Sequence, residues 1–230
     1  MATIVSRSYV LVTGGGGGIG SAVCRLLPAI GITPILGFND NAASAQSLAE
    51  ELGGLALRID LTNDDSINEA INFIAGQMGE SDVLVGVVLG ASPPPDIFPF
   101  NDLCSSHFSH QIQVNVIGVH CLLKGLIKKF FRKRKSGTVI GILTNAIGSD
   151  VQLPATGMAA YVVSKVALKG LLSVCSAEYP WLKVRSVSPG FTNTKMLEVF
   201  DARYLEMLQF QNKISKPEDI AQLIIEKIKS

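Results

Sequence analysis

The chain is sparing with charge, histidine and cysteine, and each shortage narrows its function. Asp, Glu, Lys and Arg supply only 17% of its 230 residues, against 47% hydrophobic ones. That balance excludes a self-repelling disordered chain and favours extensive burial. The formal net charge is +1, so no global field draws in nucleic acid or an anionic membrane surface. The three histidines (His107, His110 and His120) offer no convincing ligand set, and no metal is expected. Cys24, Cys104, Cys121 and Cys175 are scattered without a Cys-x-x-Cys pair, a usage that suits free thiols and a cytoplasmic location. The longest apolar run, Val83 to Ala91, is far short of the roughly 18 residues a membrane span needs. Met1 to Arg7 shows no signal-peptide pattern. No linker, repeat or low-complexity tract divides the chain, so residues 1–230 read as one domain.

What is present is a regular alternation. Short apolar runs at 9–12, 33–37, 54–59, 83–89, about 137–143 and 184–187 read as strands. Between and after them, 21–30, 42–52, 66–78, about 105–134, 161–176 and 217–228 read as helices. Strands alternating with helices imply an α/β fold, a doubly wound parallel sheet with helices on both faces. Ligands bind such sheets beyond the carboxyl ends of the strands.

Thr13 and the five glycines that follow, then Ile19-Gly20, lie between the first strand and the first helix. In that context Gly14, Gly16, Gly17, Gly18, Ile19 and Gly20 let backbone N–H groups approach a pyrophosphate at a helix N-terminus. The spacing Thr-Gly-x-x-x-Gly-x-Gly resembles the compact branch of the short-chain dehydrogenase/reductase family. The resemblance runs from about residue 9 to 221. It includes Asp60-Leu61-Thr62 after the third strand, Asn115-x-x-Gly118, Tyr161-Val162-Val163-Ser164-Lys165, and Pro189-Gly190-Phe191-Thr192-Asn193-Thr194.

The resemblance implies a Rossmann-type fold and an NAD(P)-dependent oxidoreductase. It moves a hydride between nicotinamide and a carbonyl or secondary alcohol, with 3-oxoacyl-carrier-protein reductases as one similar subtype. In this picture Tyr161 is the general acid/base and Lys165 tunes it. At i and i+4 of a helix the two share a face, with Cβ atoms about 5–6 Å apart. A nearby cation lowers the pKa of a phenol from about 10. The resemblance gives Asn115 the task of bending its helix and holding a water that links Lys165 to solvent. It places Asp60, Leu61 and Ala91 beside the adenosine, and Pro189, Gly190, Phe191, Thr192 and Thr194 at the nicotinamide end, with Tyr161 and Lys165 also touching the cofactor. A fold retained for nucleotide sensing or scaffolding, without turnover, is the alternative.

Three features depart from that pattern. A serine usually follows the fifth strand; here Thr144 stands there, and Ser149 is a rival twelve residues before Tyr161. Both Asn residues expected after strand four are replaced in Leu89-Gly90-Ala91-Ser92. The tail lacks the last strand through which many relatives form tetramers. A homodimer through the fourth and fifth helices (about 105–134 and 161–176) is the expected assembly.

Cofactor preference turns on the second strand, Leu36-Gly37-Phe38-Asn39-Asp40-Asn41. Phe38 holds the position where an acid would bind the ribose and select NAD, and Asn39 follows it. Asp40 is close enough to serve instead, and no Arg or Lys in this turn or the glycine loop marks a 2′-phosphate partner. The similarity to relatives with Asn-Tyr-x-x-Asn tips the choice to NADP over NAD. The substrate is a small carbonyl or alcohol, with an acyl-bearing one open. Residues 196–210, rich in Met, Leu, Phe and Tyr, are either core-packed helical turns or a lid over the substrate. Lys128 to Lys135 carries six cations in eight residues, read as a helix C-terminus or a docking site for an acidic carrier.

Overall fold

β-Branched and leucine-rich runs form the strands of the structure, a computed structural model that describes residues 6–230. The strands are β1(Ser8–Thr13), β2(Ile32–Phe38), β3(Leu55–Arg58), β4(Val83–Leu89), β5(Gly137–Ile142) and β6(Leu182–Val187). They pair in parallel in the order β3-β2-β1-β4-β5-β6. The order reverses between β1 and β4, where the connections leave to opposite sides and open a crevice at the carboxyl ends.

Side chains alternate across the sheet, so each central strand feeds two cores. Val10 and Val12 of β1 pack with Leu36, Val88 and Ile140 beneath α1(Gly18–Leu26), α2(Ala42–Leu52) and α8(Pro217–Lys229). Leu11 points the other way, into a core with Ile35, Val87 and Val139. That core is covered by α3(Asp64–Gln77), α5(Val119–Leu126) and α6(Ala159–Glu178), and Ile74, Leu122, Leu126 and Leu172 are among its members. This is the doubly wound, Rossmann-type sheet expected from the alternation of strands and helices.

The boundaries differ from expectation where local rules compete. α1 starts at Gly18, three residues before the expected start at Ser21, because the glycine loop winds directly into the helix. The helix expected over about 105–134 is interrupted twice. α4(Ser105–Ile112) passes into a π turn at Gln113–Gly118, then α5, then a second π turn at Ile127–Phe131. The first π turn contains Asn115, so the backbone is widened where the motif predicted a bend. The basic run Lys128 to Lys135 occupies the end of this rod, where cations complement the helix dipole.

Candidate active site

A cleft of about 1370 Å³ lies beyond the carboxyl ends of β1, β2, β4 and β5. Its floor begins with the glycine loop. Gly14 takes φ of +68°, a left-handed turn, and Gly17 N–H donates to Gly14 O at 2.9 Å. A Cβ on Gly20 would sit 2.1 Å from that same oxygen, so only glycine lets α1 start this close to the strand. No side chain caps α1, and Gly16, Gly17, Gly18, Ile19 and Gly20 line the cleft, leaving its positive end available to an anion.

Thr13 does work that its sequence position did not announce. Its Oγ1 accepts from Gly90 N–H at 3.0 Å and Ala91 N–H at 3.1 Å, tying the end of β1 to the turn after β4. The backbone shape expected of the missing Asn residues is thus held from the neighbouring strand.

Thr144, Tyr161 and Lys165 meet at the cleft wall. Thr144 is the second residue after β5; its Oγ1 accepts from Ala146 N–H at 3.2 Å, and its hydroxyl is near enough to the Tyr161 phenol to pull the phenol's pKa down. Tyr161 is 8% and Lys165 3% exposed, one turn apart on α6. Lys165 Nζ donates to Ile142 O at 3.1 Å and lies 5.6 Å from the centre of the Tyr161 ring. Burial raises the Tyr161 phenol above its usual value, and the Thr144 hydroxyl only partly opposes this. The cation expected to lower the phenol is in place beside it, but desolvation of the buried ring is the largest influence on its pKa. The same desolvation pulls Lys165 down from 10.5 to about 8.

Ser149, the rival hydroxyl, is exposed and does not line the cleft, although its bridge partner Gln152 does. Asn115 lies behind the wall. Its Nδ2 donates to Gln111 Oε1 and Ser164 Oγ, both at 2.9 Å, while Ser164 Oγ donates to Tyr161 O at 2.8 Å. Gln111 Nε2 in turn donates to Pro94 O at 2.7 Å. This buried chain joins the loop after β4 to the backbone of Tyr161. Gln111 and Ser164 had no motif to mark them; only the packing of α4 on α6 reveals them. Asn115 Oδ1 has no partner among the described residues.

Pro189, Gly190, Phe191, Thr192 and Thr194 line the cleft beside this cluster, and Phe38, Asn39 and Ala91 line its far end. Asp60 and Leu61 do not. The Asp60 carboxylate accepts from Thr62 N–H and Oγ1 at 2.9 and 2.6 Å, which hold it below the usual range, and Leu61 is buried in the core. In segment 196–210 only Leu208 is buried; Phe210 is 91% exposed and Tyr204 and Met207 are also exposed. Instead Met196, Leu197, Phe200, Tyr204 and Leu208 face the cleft, from a short 3₁₀ turn and α7(Ala202–Phe210). Phe191 meets Phe200 and Tyr204 edge-on and Phe200 is tilted against Tyr204, with ring centres 5.4–6.0 Å apart.

The short chain dehydrogenase family model matches residues 8–204, and the chain belongs to that family. It is 26% identical to the 2,5-dichloro-2,5-cyclohexadiene-1,4-diol dehydrogenase of Sphingobium indicum, over 96% of this chain and 89% of the relative. It is 27% identical to a 3-oxoacyl-[acyl-carrier-protein] reductase of Synechocystis sp., with the same coverage. The crystal structure of a 3-ketoacyl-(acyl-carrier-protein) reductase from Brucella melitensis, complexed with NADH, superposes with a TM-score of 0.83 at 20% identity. That superposition covers 96% of this chain and 90% of the other, and shows the shared fold. The chain is an oxidoreductase of this family.

Proposed function

Starting from membership of the short chain dehydrogenase family, we propose that this enzyme reduces the carbonyl of an apolar substrate, with NADP preferred over NAD as cofactor. The observation that carries the reading is the meeting of Thr144, Tyr161 and Lys165 in the same cleft as the uncapped α1 terminus. The left-handed turn at Gly14, the close packing of Gly20 on Gly14 O and the uncapped start of α1 fit a pyrophosphate cradle. Gly14, Gly16 to Gly20 and Ala91 hold the dinucleotide, and Phe191, Thr192 and Thr194 flank its reactive end. When bound, the nicotinamide supplies or accepts the hydride.

The chain's own residues handle the oxygen and its proton. Thr144 Oγ1 holds the substrate oxygen. Tyr161 donates a proton to that oxygen in reduction and takes it back in oxidation. Burial holds the Tyr161 phenol in its protonated form at neutral pH, the form that donates in reduction. The Lys165 ammonium, 5.6 Å from the ring, stabilises the negative charge that appears when the proton leaves. Asn115 is a positioning residue: it acts on Tyr161 through Ser164.

Met196, Leu197, Phe200, Tyr204 and Leu208 make the substrate end apolar, which suits cyclic ketones and 3-oxoacyl groups alike. Ile117, Val163 and Val166, exposed on the first π turn and α6, supply an apolar face for the proposed homodimer. Purified protein given NADPH or NADH with a panel of cyclic ketones and 3-oxoacyl thioesters should oxidise the cofactor. Failure on every substrate, with both cofactors bound, would refute the enzymatic reading.

A further inference from the structure

We propose that Arg58 is the residue that recognises the 2′-phosphate of NADP. The inference rests on the reading that the cleft takes a nicotinamide dinucleotide. Neither Thr13 to Gly20 nor Leu36 to Asn41 contains a cation, so sequence neighbours of the cofactor turn offer a phosphate nothing. The sheet supplies one from a different strand. β2 and β3 pair in parallel with Phe38 directly opposite Arg58. Register partners on adjacent strands project to the same face, and Phe38 lines the cleft.

Arg58 does not itself line the cleft, but its side chain reaches a residue that does. Arg58 Nη2 donates to Asn39 Oδ1 at 3.4 Å, and Asn39 also lines the cleft. The same nitrogen lies 3.6 Å from Asp60 Oδ2. Both contacts are long, and the Arg58 side chain is 61% exposed, so the guanidinium is steered towards the β2 turn without being consumed there. Asp60 Oδ1 is occupied by Thr62, which fixes the carboxylate that steers it. A guanidinium presents five donors in a planar fork, matched to two oxygens of a phosphate. Ser44, whose residue lines the same end of the cleft, adds a hydroxyl. Asp40 is the opposing feature: a carboxylate in that turn favours a ribose with a free 2′-hydroxyl.

Calorimetric titration of NADP⁺ and NAD⁺ into the wild type and Arg58→Gln separates the possibilities. Gln keeps a donor for Asn39 and removes the charge, and at an exposed site it leaves the fold intact. The expected result is NADP⁺ affinity weakened ten-fold or more, NAD⁺ affinity within about two-fold, and a loss for NADP⁺ that shrinks in high salt. An unchanged NADP⁺ affinity, or an equal loss for both cofactors, overturns the role of Arg58 while leaving the dinucleotide reading standing. Binding of neither cofactor to the wild type overturns both.

Discussion

A lysine held inside a protein at neutral pH carries a thermodynamic signature that is independent of its chemistry. Lys165 is 3% exposed, and burial pulls it from 10.5 to about 8. In the unfolded chain it holds its proton up to its ordinary value; in the folded chain it releases it near 8. Across that window the unfolded state binds more protons, so stability rises with pH. The penalty is fully present below about pH 8 and gone above about pH 10.5. A gap of this size corresponds to about 3 kcal/mol. Lys165→Met keeps the length of the side chain and removes the titration. It also loses the bond to Ile142 O, but a neutral amine makes that bond too, so most of that loss cancels when two pH values are compared. Urea unfolding of wild type and variant at about pH 7 and about pH 10.5 gives the measurement. The stability of the wild type relative to the variant should rise by about 3 kcal/mol between them. A flat difference would mean that the ammonium is already hydrated in the folded state. A falling one would mean that a Tyr161 phenolate pairs with it, reversing the order of ionisation assigned here.

Three further outcomes follow from the site. Tyr161→Phe should lower kcat by about 10²–10⁴-fold while cofactor affinity, read by fluorescence titration, stays within about two-fold; retention of more than about a third of kcat removes Tyr161 from the chemistry. Thr144→Val should cost about 10²–10³-fold in kcat, Thr144→Ser should stay active, and Ser149→Ala should match wild type; a dead Ser149→Ala beside a healthy Thr144→Val moves the hydroxyl to the bridge with Gln152. Gly20→Ala places a methyl 2.1 Å from Gly14 O, so dinucleotide binding should fall at least ten-fold and the melting temperature should drop; a variant that binds normally shows that the loop yields, and with it that the cradle is not preformed.

What was legible in the sequence is what neighbours along the chain decide. Tyr161 and Lys165 share a face because a helix turns every 3.6 residues, and the glycine loop needed only the strand before it and the helix after it. The sheet followed from short apolar runs alternating with helical ones, and β1 shows why such a run is apolar throughout: Val10 and Val12 face one core and Leu11 the other. What was not legible depends on contacts between distant segments. Arg58 lies twenty residues beyond Phe38, and only the β2–β3 register sets them side by side; a search for a cation near the cofactor turn passes over it for that reason. Gln111 and Ser164 are polar residues on apolar helix faces, legible as partners only once α4 crosses α6 and Asn115 bridges them. Tyr161 was placed correctly beside Lys165, but the direction of its pKa was not, because the motif specifies the cation and says nothing of the water excluded around it. Composition likewise found the apolar content of 196–210 and left its destination open between the core and a lid. Those side chains wall the cleft while Phe210 stands in solvent, so hydrophobicity there shapes a binding surface more than it fills a core. Under the proposed function, the substrate would be met by α7 and the turn before it, where Met196, Leu197, Phe200, Tyr204 and Leu208 line the cleft.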